Sequence, residues 1–318
     1  MREYILGLPE QFKFRPEVIN RGKLKKSEKF MAAGMGGSHL AAGMIKTVNP
    51  FIDLLVHRDY GLPRVPDYFL KEGLLVASSY SGNTEETLNV FEKGLEQKLN
   101  LAAIFSGGKL LEEAEKEGVP FIKIKSGLPA RMAVGYSVKA FLKLAFLEEE
   151  AEKAEEAAEK VKANSLESAG KNLADFLSGG TAVIYASGVN FPLAYYFKIH
   201  LNETAKMPAF CNFFPELNHN EMASFLSGRK NGEKFRFVFL ADEIDVEKIR
   251  KRMKVTKRFL EEAGIEVKII ELLAEKNGWE KIIHATVLAS WTALFLAERE
   301  GFSPLDVFKI EKFKEEIR

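Results

Sequence analysis

The sequence predicts an α/β protein built on two parallel, doubly wound sheets. Three observations carry that expectation. Short apolar runs alternate with helix-like stretches of ten or more residues, the pattern of parallel strands covered on both faces. The alternation occurs twice, in blocks offset by about half the chain. The length, 318 residues, suits two domains of ordinary size, and 46% hydrophobic with 29% charged residues is a normal soluble balance.

The first block opens with KFMAA at Lys29–Ala33, then the glycine cluster Gly34–Ser38 and the helix-like HLAAGMIKTV. Further strands are expected at Ile52–His57, Leu74–Ser79, Leu101–Phe105 and Pro120–Ile124, with helices after YSGNT and over Leu110–Glu117. Leu142–Phe176 is rich in Ala, Glu and Lys and reads as a solvated helix joining two domains. Its Glu149–Lys153 and Glu156–Lys160 pairs favour a helix, while Glu148–Glu152 and Glu155–Glu159 oppose it slightly. The second block has strands at Ala182–Gly188, Arg236–Asp242 and Val267–Ile270 and a long apolar-striped helix over His284–Arg299. The expected division is residues 1–150, a helical connector over 151–176, and 177–318.

Composition excludes several functions. Forty-six basic residues face 45 acidic ones, a net charge of +1, so no global positive field exists to hold nucleic acid. One cysteine, Cys211, excludes an internal disulfide framework and any multi-cysteine zinc site. The longest uncharged apolar stretch, near Ala285–Ala297, is too short to span a bilayer. MREYILGLPEQ lacks a basic-then-apolar leader pattern, so a cytoplasmic protein is expected. Glutamine occurs only at Gln11 and Gln97 while Lys and Glu abound, a skew that points to a thermophilic source.

Ser78–Thr87, SSYSGNTEET, is the strongest local signal. It falls where a strand ends and a helix begins, and free amides with the helix dipole favour an anion there. Ser79, Ser81 and Thr84 add hydroxyls and Gly82 permits close approach. No lysine stands as in a P-loop, so a monophosphate fits better than a triphosphate. The competing reading is plain helix capping by Thr84 and Thr87. The second block has DEIDVEK in the equivalent place, so one anion site per chain is expected.

GMGGSH at Gly34–His39 has two functional readings. Gly34-x-Gly36 with Asp59 begins a dinucleotide fingerprint, which would make an NAD-dependent dehydrogenase. Alternatively the turn closes over a sugar phosphate with Ser38, in agreement with the serine loop. Lys198–Met222 carries His200, Glu203, Glu216, His219 and Glu221 in what reads as a polar loop between a buried helix and the next strand. HNE lacks zincin spacing, and a deaminase site needs more cysteines than the chain has, so a carboxylate–imidazole acid–base pair is favoured over a metal. His200 and Glu216 default to structural roles, as do His39, His57 and His284.

GMGGS, SYSGNTEET, the ETAK…PELNHNE segment and Pro304…Ile310-Glu311-Lys312-Phe313-Lys314 together resemble the bifunctional phosphoglucose/phosphomannose isomerases of the wider sugar isomerase (SIS) superfamily. The resemblance covers nearly the whole chain and implies two SIS-type αβα sandwiches with the site in a crevice at the carboxyl ends of strands. It implies that Gly37, Ser38, Ser79, Ser81 and Thr84 hold the phosphate, that Glu203 is the catalytic base, and that His219, donated by the neighbouring subunit of a homodimer, assists ring opening with Lys314. It makes Arg131 the cation near the reacting carbons, although Ala130 and Met132 depart from the family's usual flanks. Glu86 becomes a supporting acid, and Val307 lies near where some members carry a hydroxyl residue linked to mannose phosphate use.

These residue types suit the chemistry. Ring opening needs proton transfer at O1 and O5. One carboxylate on one face of a cis-enediol can take the proton from C2 and return it to C1. A fixed guanidinium stabilises the developing charge, provided it does not suppress the carboxylate's basicity. The phosphate anchors the reacting carbon. No cofactor or metal is required. Glucose and mannose 6-phosphate differ only at C2 and give the same enediol. The alternative is a non-catalytic SIS module that binds a sugar phosphate and regulates another protein.

Overall fold

The structure, a computed structural model, describes residues 1–227, 235–272 and 278–317. By internal contacts the chain divides into two units. The N-terminal unit is Gly7–Val161 with Asn277–Ile283, and the C-terminal unit is Met1–Leu6, Lys162–Lys276 and His284–Arg318.

After α1 (Arg2–Leu6) and α2 (Leu8–Gln11), the first alternation runs β1 (Lys29–Ala33), α3 (Leu40–Val48), β2 (Asp53–His57), α4 (Asp67–Glu72), β3 (Leu74–Ser79), α5 (Glu85–Glu96), β4 (Asn100–Phe105), α6 (Lys109–Glu117) and β5 (Phe121–Lys123). Two helices follow, α7 (Val134–Leu144) and α8 (Glu148–Lys160). The second alternation is α9 (Glu167–Leu177), β6 (Thr181–Ser187), α10 (Phe191–Glu203), β7 (Ala209–Phe214), α11 (Glu221–Phe225), β8 (Phe235–Ala241), α12 (Glu247–Glu262), β9 (Glu266–Glu271), α13 (Gly278–Glu300) and α14 (Phe308–Glu316).

The N-terminal sheet is parallel in the order β2-β1-β3-β4-β5. Its central strand β3, LLVASS, is buried along its whole length, which is why it reads as a continuous apolar run rather than an alternating one. One layer of core joins Met31, Leu75, Phe91, Phe105 and Phe121. The outer edge of β5 is not bare, since Ile19 pairs antiparallel with Phe121. The C-terminal sheet is parallel in the order β7-β6-β8-β9. Its core is aromatic, with Tyr185 packed among Phe214, Phe237 and Phe239. In each sheet the first strand lies between its two successors, so the winding reverses between β1 and β3 and again between β6 and β8. Ligand sites of doubly wound sheets form at the carboxyl ends of such strand pairs.

Two expectations need correction. Residues 151–176 are not a free-standing connector. The inner face of α8 buries Ala154, Ala157 and Ala158, Trp279 Nε1 donates to Glu150 at 3.0 Å, and Lys160 pairs with Glu280, all within the N-terminal unit. α9 belongs instead to the C-terminal unit, where Gly170 lies so close to Trp291 that an added Cβ would stand 2.4 Å from Trp291 Cβ. Small alanines at helical spacing, drowned among charges, concealed this packed face. Nor is Lys198–Met222 a loop: it contains the end of α10, the whole of β7, the whole Glu216–His219 turn and the start of α11. AFCNFF is a strand because it pairs residue for residue with β6, from Ala182–Ala209 to Ser187–Phe214.

Candidate active site

At the reversal in the N-terminal sheet two turns meet. β1 leads into Gly34–His39, and the backbone reason for its glycines is steric. A Cβ on Gly34 would stand 2.6 Å from the Ser78 carbonyl on β3, and one on Gly37 would stand 2.7 Å from Arg131 N. Gly36 has φ +51°, which an L side chain rarely adopts. The glycines thus let the turn press against β3 and the Ala130–Met132 turn. Asp59, the ribose candidate of the dinucleotide reading, accepts from the Tyr60 amide at 2.8 Å.

β3 leads into Ser79–Thr84. Ser79 is fully buried, and its hydroxyl is a hub. It donates to Thr84 Oγ1 at 2.8 Å and accepts from the amides of Gly82 (3.1 Å) and Thr84 (3.4 Å). Ser79 therefore organises the turn, whereas Ser81 is exposed and Thr84 half-buried at its rim. The competing capping reading fails: Thr84 precedes α5, but its side chain makes no cap bond, and Thr87 is buried. Gly82 sits at φ +70° with its Cα against the next loop; an added Cβ would stand 1.7 Å from the Gly107 carbonyl. The turn is also tied to its neighbours. Ser78 Oγ donates to Ser38 O at 3.0 Å, and Ser38 Oγ accepts from Tyr80 N at 2.9 Å. The Tyr80 hydroxyl accepts from Leu128 N at 2.8 Å and donates to Lys125 O at 3.1 Å, which steadies the segment leading to Arg131.

Arg131 is 2% exposed, an unusual burial for a guanidinium. Gln11 braces the same corner, donating to Met132 O at 2.7 Å and accepting from Gly135 N at 3.2 Å. Glu86, in the first turn of α5, lies near Tyr60, whose phenol is raised first by desolvation and next by that carboxylate. His39 is pushed down to about 4, chiefly by burial and then by Arg58, so it is neutral near pH 7. His57 bonds the Gly61 carbonyl through Nε2 at 2.8 Å.

Seven of the expected site residues, Gly37, Ser38, Ser79, Ser81, Thr84, Glu86 and Arg131, lie in the N-terminal unit; Glu203, His219 and Lys314 lie in the C-terminal unit. Glu203 is the last residue of α10. Just beyond it Lys206, at φ +56°, folds its ammonium back onto the Glu203 carbonyl and also onto the Asp306 carbonyl. A cation at a helix C-terminus is favoured by the dipole, and here it links the helix of Glu203 to the residue before Val307. One turn back in α10, His200 is fully buried, stacks on Tyr196 at 4.2 Å and lies 3.5 Å from Ser290 Oγ.

His219 ends the short turn Glu216–His219, its side chain exposed. The turn is held from both sides. Asn218 Nδ2 donates to Thr256 Oγ1 on α12 at 2.8 Å, Asn220 Nδ2 donates to Glu216 at 2.9 Å, and Asn220 caps α11. Lys314 is exposed in the last turn of α14, and Val307 precedes that helix. The sequence reading missed Lys206; a lysine three residues past the helix end, in ETAK, was the available signal.

Comparison with known proteins completes the picture. A profile described as the bacterial phospho-glucose isomerase C-terminal SIS domain matches residues 166–317. The chain is similar to the bifunctional phosphoglucose/phosphomannose isomerase of Aquifex aeolicus, 33% identical over 295 residues that cover 90% of this chain and 89% of the relative. It is 34% identical to the protein of that description from Thermoplasma acidophilum, over 100% of this chain and 99% of the other. The chain belongs to the bifunctional phosphoglucose/phosphomannose isomerase family. The fold of this isomerase family extends to more distant structures: the C-terminal domain of glucosamine-fructose-6-phosphate aminotransferase from Francisella tularensis superposes with TM-score 0.72 at 16% identity, over 95% of this chain and 97% of that one. Among the described residues no helix is long and apolar enough to cross a membrane.

Proposed function

We propose that the protein interconverts glucose 6-phosphate, and also mannose 6-phosphate, with fructose 6-phosphate through a cis-enediol, without a metal or redox cofactor. Family membership over nearly the full length supports the substrate class. The observation that carries the reading is the Ser79–Thr84 turn, a hydroxyl-rich turn between a strand end and a helix start at the point where the sheet reverses.

In this reading the phosphate is held by Ser38, Ser81, Thr84 and the Gly37 turn, with Ser79 fixing the cradle from beneath, and by the N-terminal dipole of α5. His219 and Lys314 move the protons that open the ring, and His219 comes from a second copy of the chain. Glu203 removes the C2 proton and returns it at C1. Arg131, permanently charged, stabilises the enediolate, while Glu86 orders the phosphate side. Tight anchoring of the phosphate holds the reacting carbons against the base. Because both aldoses yield one enediol, a base on one face serves both after rotation about C2–C3. We place the reaction in the cytoplasm.

The test is a coupled assay for fructose 6-phosphate from each aldose phosphate, with and without EDTA. Turnover of both, unchanged by chelator, supports the reading. Chelator loss that zinc restores overturns metal independence. Thermal stabilisation by sugar phosphate without turnover means a binding module instead. Mixing inactive Glu203→Gln and His219→Ala chains under proven subunit exchange restores part of the activity if His219 acts in its neighbour's site; no recovery assigns it to its own chain.

A further inference from the structure

One half-buried polar arrangement in the C-terminal unit lies outside every role assigned so far. Tyr185 on β6 and Asn212 on β7 are register partners across the parallel ladder. Both reach the same carboxylate: the Tyr185 hydroxyl donates to Glu221 Oε2 at 2.6 Å, and Asn212 Nδ2 donates to Glu221 Oε1 at 2.5 Å. Tyr185 is 2% exposed and locked by Phe214, Phe237 and Phe239, so the upper end of this link cannot wander. At the lower end, the Glu221 amide donates to Asn220 Oδ1 at 2.6 Å while Asn220 Nδ2 donates to Glu216. His219 thus sits on a backbone pinned immediately on both sides, although its own side chain is exposed.

We propose that Glu221 is a positioning residue for His219, clipping the Glu216–His219 turn to β6 and β7 so that the imidazole is presented in one place. The inference rests on the reading that His219 acts in ring opening. The residue type follows from donor counting. Both partners donate in the structure, and a carboxylate offers each its own acceptor oxygen. Glutamine has the same shape, but it must turn its NH2 toward Tyr185, whose hydroxyl then accepts and leaves its own proton without this partner, and both remaining bonds are between neutral groups and weaker. Bonds to a carboxylate are also the stronger kind. Placement of an acid–base group is sensitive to shifts of an ångström, which is how a residue that never touches substrate reaches the rate.

The experiment is a double-mutant cycle on the full-length chain, with the coupled assay from glucose 6-phosphate and thermal unfolding of every variant. The variants are Glu221→Gln, Tyr185→Phe, and the reciprocal pair Asn212→Asp with Glu221→Gln, each alone and with His219→Ala. Glu221→Gln is expected to lower kcat about tenfold with KM shifted less, and to have no further effect once His219 is alanine. The reciprocal pair restores donor–acceptor complementarity and should recover most of the lost kcat. If Glu221→Gln does not fold, Tyr185→Phe carries the test, with a smaller loss that also vanishes beside His219→Ala. Wild-type kcat in both single clip variants while His219→Ala is impaired overturns the clip. Equal fold-losses with and without His219 overturn it too, because Glu221 then acts independently. Full activity of His219→Ala itself overturns the ring-opening role, a different signature that removes the clip's purpose along with it.

Discussion

The chain places two turns at equivalent points of its two sheets and fills them with opposite chemistry. At the end of β3 and beyond stand Ser79, Ser81, Gly82 and Thr84; the Ser79 hydroxyl joins Gly82 and Thr84, and the Ser81 hydroxyl accepts from the Asn83 amide. After β8 stand Asp242 and Asp245, both buried, sharing the amide of Asn190, which donates to Asp242 at 3.0 Å and to Asp245 at 3.4 Å. Both turns lead into a helix, α5 and α12, so a helix dipole is common to both and the side chains make the difference. On the proposed reading a phosphate at the first turn meets neutral hydroxyls and amides, whereas at the second it would meet carboxylates.

The sharpest break between the halves is chemical. Glu203→Gln keeps the shape of the α10 terminus and removes the carboxylate proposed as the base, so turnover is expected to fall about 10^3-fold or more. Affinity for inorganic phosphate or a non-reacting hexitol phosphate should barely change, because the cradle lies in the other unit. An unchanged kcat would remove Glu203 from the reaction. A matching loss of phosphate affinity would mean that the two halves do not divide the work.

Next in size is the backbone of the cradle. Gly82→Ala places a methyl within 1.7 Å of the Gly107 carbonyl and strains φ +70°, and both loops are backbone, so neither yields cheaply. A loss of about 3 kcal/mol in unfolding free energy is expected, together with loss of phosphate binding. Gly36→Ala is the control, with a similar positive φ but nothing within 4 Å of the added atom, and should cost about 1 kcal/mol. Equal costs at the two sites, measured by denaturant unfolding, would mean that close approach is irrelevant at Gly82.

The charge contrast can be transplanted. Ser81→Asp introduces into the first turn the acid that the second turn carries. Ser81 is exposed, so stability should stay within about 0.5 kcal/mol. Phosphate affinity should drop by roughly ten- to a hundredfold, a like-charge effect that weakens as salt is raised. Undiminished affinity at low salt would place the anion elsewhere.

The same contrast explains what the residues disclosed in advance. Strands such as Leu74–Ser79 were legible because burial on both faces leaves an uninterrupted apolar run. The serine turn was legible because three hydroxyls and a glycine crowd six residues. β7 was not, since Asn212 and Cys211 interrupt its aromatic run and only its ladder with β6 reveals it. Ser79 could be named but not its orientation, because a serine that organises a cradle and one that touches the ligand look the same in sequence. Lys206 and the contacts of Glu221, a residue the sequence did single out, were hidden for a similar reason: their main-chain or neutral partners are brought near by the fold rather than by a motif spacing.

The smallest effect concerns pH and the turn after β1. His39 has a folded-state value near 4, against about 6.5 when unfolded, because burial and then Arg58 disfavour its charged form, while a bond with the Gly36 backbone pulls weakly the other way. Between those values the unfolded chain binds more protons than the folded one, so this contribution grows as pH rises. It is fully present above about pH 6.5 and is lost as pH falls toward 4. Going from pH 7 to 5.5 should therefore cost about 1 kcal/mol through this residue alone. His39→Gln has no such titration and should flatten the stability profile in that window while leaving both profiles parallel above pH 7. Equal slopes for the two proteins between pH 5.5 and 6.5 would show that His39 is solvated, and that the Gly36–His39 turn is looser than the Ser79 turn to which Ser38 ties it.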